Sequence, residues 1–288
     1  MLSVLSITPS GDFDLRASLR FSEGWEPAAI VPSAGGAPVL RLAFAVDGWD
    51  GHAAVALTQD ADGVVHGELA GTGDPAVAWR QALRIVALDA DGRGYAAVGE
   101  RDAVVGGLQA RFPGLRPVSF HSPYEAAAWA VLNARMPAAR ARAVRDALAR
   151  EHGAVLDVAG EALAAFPLPE ALLAVREPPR GVPEEKLRRL HAVAEAALAG
   201  RLDADALLAR PRDEALTALE EIRGIGPFSA RLILIRGSGA TDVAATEEPR
   251  VRARIAELYG ADADPGAVAD GWRPFRTWVS VLLRSSAR

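Results

Sequence analysis

The sequence contains no cysteine. That excludes disulfides, thiolate-held iron–sulfur clusters and a cysteine nucleophile. The five histidines (His52, His66, His121, His152 and His191) never fall at metal-ligand spacing, so a structural metal site is not expected. Lysine is nearly absent: Lys186 is the only one, and arginine carries the remaining positive charge. No apolar run is long enough to span a bilayer, because arginines and acids interrupt each of them. The opening run Met1-Leu-Ser-Val-Leu-Ser-Ile7 lacks a basic region and a cleavage site. No signal peptide is therefore expected, and a cytoplasmic protein is.

What is present reads as a folded chain with room for two domains. It has 288 residues, 50% of them apolar and 24% charged, a balance that favours a packed core over disorder. The net charge of −5 hides an asymmetry. Residues 1–100 hold 13 acids against 6 arginines, whereas the remainder holds 24 acids against 26 basic residues. The later part is where a polyanion would bind.

The first hundred residues read as strands with a helix or two. Apolar and polar residues alternate in Phe13-Asp-Leu-Arg-Ala-Ser-Leu-Arg-Phe21, the period of a half-buried strand. Leu40, Leu42, Phe44 and Val46 repeat that period, and segments 52–58 and 64–69 flank the turn Asp-Ala-Asp-Gly63. Asp74-Pro75 starts a helix running to about Leu88, with Asp as N-cap and Pro at its first position. From about Asp102 the period becomes helical and stays so, predicting helices over 101–111, 123–135, 138–151, 184–199, 212–222, 227–236, 247–258 and 273–285. In the clearest, Leu187, Leu190, Ala194 and Leu198 form one apolar stripe between Pro183 and Gly200. The expected fold class is α+β: an antiparallel sheet domain with packed helices over 1–100, then an all-α domain of two lobes around a cleft over 101–288.

The most informative segment is Leu219-Glu-Glu-Ile-Arg-Gly-Ile-Gly-Pro-Phe-Ser-Ala-Arg231, where one helical pattern ends and another begins. Gly224 and Gly226 permit positive φ and close approach of a ligand to the backbone. The amides that open the next helix suit an anion such as a phosphate. Gly-Ile-Gly-Pro-Phe-Ser-Ala resembles a helix-hairpin-helix, an element that grips a nucleic-acid backbone without reading its sequence.

Four further blocks surround this hairpin in order: Ser122–Leu132, Phe166–Glu170 with Gly181–Pro183, Asp242–Arg252, and Trp272–Trp278. Together they resemble the alkylpurine (3-methyladenine) DNA glycosylase II family, the AlkA-like branch of the helix-hairpin-helix glycosylases. The likeness spans roughly residues 101–288 and is weaker before them. It implies a base-excision enzyme that flips a damaged nucleotide into a pocket, where a carboxylate stabilises oxocarbenium-like charge on the sugar.

Carried over residue by residue, the resemblance aligns the family's catalytic aspartate with Glu248. The extra methylene displaces the carboxylate by roughly 1–1.5 Å. On the residues alone, Thr246-Glu-Glu-Pro249 also reads as a helix start with Thr as N-cap. Glu247 and Asp242 are lesser catalytic candidates, Asp242 better suited to holding the loop. The base pocket falls on Phe228, Leu232 and Arg284, where the family keeps more aromatics; core packing is the other reading of Phe228. The hairpin contacts to DNA fall on Gly224, Ile225, Gly226, Ser229 and Ala230. Arg223, Arg231, Arg250 and Arg252 are candidate phosphate contacts. Arg135 or Met136, in the turn Asn133–Pro137, would wedge into the gap left by the flipped base. The backbone carbonyls of Glu220, Ile222 and Ile225 would hold a monovalent cation, Na or K, and no other cofactor is implied. Lyase-type relatives carry a lysine where Phe228 stands, so Schiff-base chemistry is not expected.

The expectation is thus a monomeric, monofunctional DNA glycosylase acting on double-stranded DNA with an alkylated purine, nucleoid-associated and leaving an abasic site. The alternative is a non-catalytic relative that binds damaged or distorted DNA. A lyase acting on oxidised purines is disfavoured by the missing lysine.

Overall fold

Residues 3–22 and 38–286 are described by a computed structural model, so Met1 and Leu2 of the opening run lie outside the described residues. Strand β1 (Ser3–Ile7) leads to helix α1 (Leu15–Ser22), then β2 (Leu40–Ala45), β3 (His52–Gln59) and β4 (Val65–Gly71). The sheet order is β1-β4-β3-β2, antiparallel throughout, with Phe44 opposite Ala53 and Val55 opposite Leu69. The expected strand over Phe13–Phe21 is a helix instead. Asp14 accepts hydrogen bonds from the backbone N–H groups of Arg16 (2.7 Å) and Ala17 (3.3 Å), which satisfies donors at a helix start. Ser18 is buried together with Leu15 and Leu19, the i, i+3, i+4 spacing of a helix face.

Helix α2 (Pro75–Ile85) starts as expected, with the Asp74 carboxylate accepting from the N–H groups of Ala76 and Val77. The helix expected over 101–111 is α4 (Ala103–Arg111), and a separate short helix, α3 (Ala96–Arg101), precedes it. Between them, Asp102 caps α4 and also accepts from the Tyr259 hydroxyl (2.7 Å) and the Trp272 indole N–H (3.1 Å).

The rest of the chain comprises α5 (Pro123–Asn133), α6 (Ala138–His152), β5 (Ala154–Val158), β6 (Glu161–Ala165), α7 (Pro169–Ala174), α8 (Glu184–Leu198), α9 (Ala204–Ala209) and α10 (Arg212–Glu220). It continues through α11 (Pro227–Leu232), a π-helical turn (Ile233–Gly237), α12 (Pro249–Tyr259), α13 (Pro265–Asp270) and α14 (Arg276–Ser286). No helix among the described residues is long and apolar enough to cross a membrane.

The expected all-α character after residue 101 is corrected by β5 and β6. They pair around Ala159 and Gly160, both at positive φ (48° and 76°), the conformation of a tight primed hairpin turn. Val158 and Ala165 pack on Ala43, Ala54 and Ala56 of the sheet. In α8, Leu187, Leu190 and Ala194 are buried as expected, whereas Leu198 is exposed.

Two large buried clusters result, and the first does not stop at residue 100. It joins Leu42, Phe44 and Val55 of the sheet to Val251 and Ile255 of α12 and to Trp272, Trp278 and Leu282 near the C-terminus. Burial of such side chains contributes about 1.5–3 kcal/mol each, so both chain ends share one stabilising core. The second cluster gathers α5 to α11 around Tyr124, Leu148 and Leu190. Gly237 lets the π-helical turn sit against α5, because a Cβ there would lie 2.8 Å from the Pro123 Cα.

Candidate nucleic-acid interface and base cavity

The turn between α10 and α11 is closed by two short bonds, Ile222 N–H to the Leu219 carbonyl (3.1 Å) and Ile225 N–H to the Ile222 carbonyl (2.9 Å). Gly224 takes φ +94°, a left-handed conformation that favours glycine. The buried Ile222 and Ile225 side chains anchor the turn in the second cluster and leave its outer backbone exposed. Pro227 opens α11, which has no side-chain cap. Ala230 lies beneath this surface, fully buried, with its N–H bonded to the Gly226 carbonyl (2.9 Å). Among the described residues the Glu220 and Ile225 carbonyls accept no backbone hydrogen bond and the Ile222 carbonyl accepts one, so oxygen lone pairs of the kind a carbonyl-bound cation needs are left open.

Arg223 is exposed and bonded to Glu185 (3.1 Å), while Arg231 is paired with Glu247. Arg250 and Arg252 lie exposed on α12, with no ion pair among the described residues. Of the four candidate phosphate contacts, these two already present their charge to solvent.

A cavity of about 210 Å³ lies where the two buried clusters meet. That is below the ~300–1,000 Å³ of sites for drug-sized ligands, and it suits one flat ring system. Phe228, Arg231 and Leu232 line it from α11, and Ile235 and Arg236 from the π-helical turn. Ala244, Ala245, Glu247 and Glu248 line it from the loop before α12, Val251 from α12, and Thr277, Ser280, Val281 and Arg284 from α14. Phe228, Leu232, Arg284 and Glu248, all carried over from the one resemblance, thus share one cavity wall. Phe228 is 70% exposed, so it is not a core residue.

Glu248 itself is the N-cap of α12, and its Oε2 accepts from the Val251 N–H at 2.8 Å. The cap expected at Thr246 therefore falls two residues later. Asp242 holds the loop: it accepts from the Arg276 Nε (2.8 Å) and pairs with Arg273. Thr277 Oγ1 donates to the Val243 carbonyl (2.9 Å) and accepts from the Val243 N–H (3.1 Å). Ser280 Oγ donates to the Arg276 carbonyl (2.7 Å) and accepts from the Ala245 N–H (3.3 Å). These bonds fasten the segment before Glu248 to α14.

Arg236 is the cavity residue that sequence reasoning missed. Its signal was a lone charge closing the run Leu232-Ile-Leu-Ile. Burial, with the nearby positive charge of Arg284, lowers its pKa from the ordinary arginine value. The guanidinium donates to the Val118 carbonyl, and its own carbonyl accepts from the Phe120 N–H (2.6 Å).

The turn after α5 places Arg135 at φ +54°, exposed, and Met136 half-buried against the second cluster. Lys186 donates from Nζ to the carbonyls of Leu132 (2.6 Å) and Ala134 (2.9 Å), the unsatisfied end of α5. It lines a separate cavity with Arg135 and Met136, not the one containing Glu248.

No protein-family model matches the sequence, and no curated protein matches it. Solved structures do resemble the fold. A 3-methyladenine DNA glycosylase from Archaeoglobus fulgidus superposes with a TM-score of 0.71 at 19% identity, covering 97% of this chain and 96% of that one. An 8-oxoguanine glycosylase/lyase from Clostridium acetobutylicum, in complex with double-stranded DNA, gives 0.69 at 14% identity over 99% and 97%. A DNA-3-methyladenine glycosidase from Bacillus halodurans gives 0.54 at 20% identity over 67% and 88%. The chain shares its fold with these solved DNA glycosylases. That fold is shared almost equally by proteins named for an alkylated and for an oxidised base, so fold alone does not choose a substrate.

Proposed function

We propose that the protein is a monofunctional DNA glycosylase that hydrolyses the N-glycosidic bond of a damaged base in duplex DNA. The observation that carries this reading is the meeting of Glu248, Phe228, Leu232 and Arg284 in one base-sized cavity beside the hairpin. In this mechanism the hairpin backbone, Arg250 and Arg252 hold phosphates, and Arg135 or Met136 fills the gap left by the flipped nucleotide. The extruded base stacks on Phe228 and is enclosed by Leu232 and Arg284. The C1′–N bond breaks with its electron pair leaving on the base, and Glu248 stabilises the developing positive charge on the sugar. Water adds through its oxygen to C1′ and releases its proton, through Glu248, to the departing base. Among the described residues Glu248 accepts a hydrogen bond through Oε2, which leaves Oε1 for this work.

The monofunctional reading is supported by Phe228 at the position where the resemblance places a lyase's lysine, and by the hydrogen bonds of Lys186 to the end of α5. The carbonyls of Glu220, Ile222 and Ile225 would hold a Na or K ion that fixes the turn near the phosphates. Alkylated purines are the substrates that the sequence resemblance names. A second reading, a DNA-binding relative without catalysis, draws on the use of the Glu248 carboxylate as a helix cap.

Duplexes carrying single damaged bases, incubated with the protein and then treated with alkali, separate the two readings. Strand scission at the lesion supports the enzyme. Binding without scission supports the second reading, and loss of both removes DNA repair from consideration.

A further inference from the structure

Resting on the glycosylase reading, we infer that Thr277 and Ser280 of α14 are positioning residues that set where the Glu248 carboxylate stands at the base cavity. They act through the backbone of residues 241–245, which the first turns of α14 grip rung by rung. The Thr277 N–H donates to the Thr241 carbonyl (2.9 Å), and the Arg276 Nε donates to the Asp242 carboxylate (2.8 Å). The Thr277 hydroxyl takes both backbone groups of Val243, the N–H at 3.1 Å and the carbonyl at 2.9 Å. One turn on, the Ser280 hydroxyl accepts from the Ala245 N–H (3.3 Å), and the Ala245 carbonyl accepts from the Glu248 N–H (3.0 Å). A path of hydrogen bonds thus runs from α14 to the Glu248 backbone. The other end of the same residue is held by α12, where Oε2 accepts from the Val251 N–H (2.8 Å).

Glu248 needs both holds. Residues 238–248 lie in neither helix nor strand, so their backbone groups depend on side chains for partners. A glutamate has one more rotatable bond than an aspartate, so a given shift of its backbone swings its carboxylate further. Displacement of a reacting group by about 1 Å can cost about 100-fold in rate. Thr277 and Ser280 are buried, where water does not compete for their hydrogen bonds. Both also line the cavity, yet each hydroxyl proton is committed to a backbone carbonyl, of Val243 and of Arg276. That commitment suits them to placing the carboxylate rather than donating to a base.

The test uses duplexes carrying a single hypoxanthine, uracil, 8-oxoguanine or 7-methylguanine, taking the one that the wild-type protein releases fastest. Release is followed in single turnover at saturating protein, and affinity for the same duplex by anisotropy. Thr277→Val, which keeps the shape and loses the hydroxyl, should slow release about ten- to hundredfold with affinity nearly unchanged. Thr277→Ser, which restores the hydroxyl, should recover most of the rate. Ser280→Ala should show the same split of rate from affinity, and it carries the test if Thr277→Val does not fold. In a Glu248→Gln background, Thr277→Val should cost little further rate, because no charged carboxylate is left to place. Wild-type rates in the folded variants, a loss of affinity without loss of rate, or an equal further loss in the Glu248→Gln background overturns this inference and leaves the glycosylase reading intact. No release from any of the four duplexes removes both.

Discussion

The carboxylate of Glu248 accepts a hydrogen bond from the Val251 N–H at 2.8 Å, so one side chain both caps α12 and faces the base cavity. The two roles separate on substitution. Glutamine keeps an oxygen acceptor for Val251 and loses the negative charge. Glu248→Gln should therefore reduce base release by about 100-fold or more, a typical cost of removing one group that stabilises transition-state charge, with DNA binding and melting temperature retained. Glu248→Ala should in addition lose about 0.5–2 kcal/mol of stability, the cost of a missing cap. Single-turnover assays and thermal melts check both, and unchanged release by Glu248→Gln removes Glu248 from catalysis.

Arg250 and Arg252 stand exposed on α12 without ion pairs among the described residues, while Arg223 and Arg231 are already bonded to acids. Phosphate contacts release counterions, so affinity for duplex DNA should fall steeply as salt rises. Replacing Arg250 or Arg252 by Ala should flatten the log–log salt slope by about 0.9 for each phosphate left without its arginine. Arg223→Ala should change it less, because binding must first break the Glu185 pair. Anisotropy titrations at several KCl concentrations measure these slopes, and a flat wild-type response counts against phosphate binding altogether.

Lys186 is tied to the Leu132 and Ala134 carbonyls, outside the cavity that contains Glu248. Borohydride should trap no covalent complex between the protein and a damaged duplex, since Lys186, the one lysine of the sequence, lies outside the cavity that contains Glu248. Lys186→Met should lower stability by about 1 kcal/mol, because two hydrogen bonds disappear. In a melting curve that corresponds to roughly 2–4 °C. A trapped complex in the wild-type protein, abolished by Lys186→Met, would reverse this assignment.

Local sequence signals held where they matched the tertiary demand. Asp74-Pro75 capped its helix, the alternation over Leu40–Val46 gave a strand, and the glycines of 224–226 marked the hairpin. They failed where packing overrode them. The alternating run at Phe13 is helical because Asp14 caps it and Ser18 is buried beside Leu19. The β5–β6 hairpin was hidden because its turn is Ala159-Gly160, which lacks the usual Asn-Gly or Asp-Gly signature. In the site, the resemblance named Glu248, Phe228, Leu232 and Arg284, and all four line one cavity. Arg236 stayed invisible because a residue inside an apolar helical run gives no hint of which face the π-helical turn will bring to the cavity.

Glu125 offers a measure of the second cluster that is independent of DNA. Its carboxylate is buried between His121 (3.1 Å) and Arg145 (3.0 Å) at the start of α5. Burial alone would raise its pKa, but the charges and hydrogen bonds of His121 and Arg145 outweigh it and bring the group down to about 2. A carboxylate depressed in the folded state binds its proton more readily when unfolded, so its contribution is complete above the unfolded pKa of about 4.3. That contribution should shrink as pH falls from about 4.3 toward 2 and vanish below. Glu125→Gln removes this linkage: the variant should be less stable at pH 7, since it leaves the half-buried Arg145 guanidinium with only the exposed Asp146 as an acidic partner. Between pH 5 and 2.5 its stability should fall less steeply than that of the wild type. Urea unfolding across that range reads the slope, and parallel curves for the two proteins would show that Glu125 does not govern the acid response.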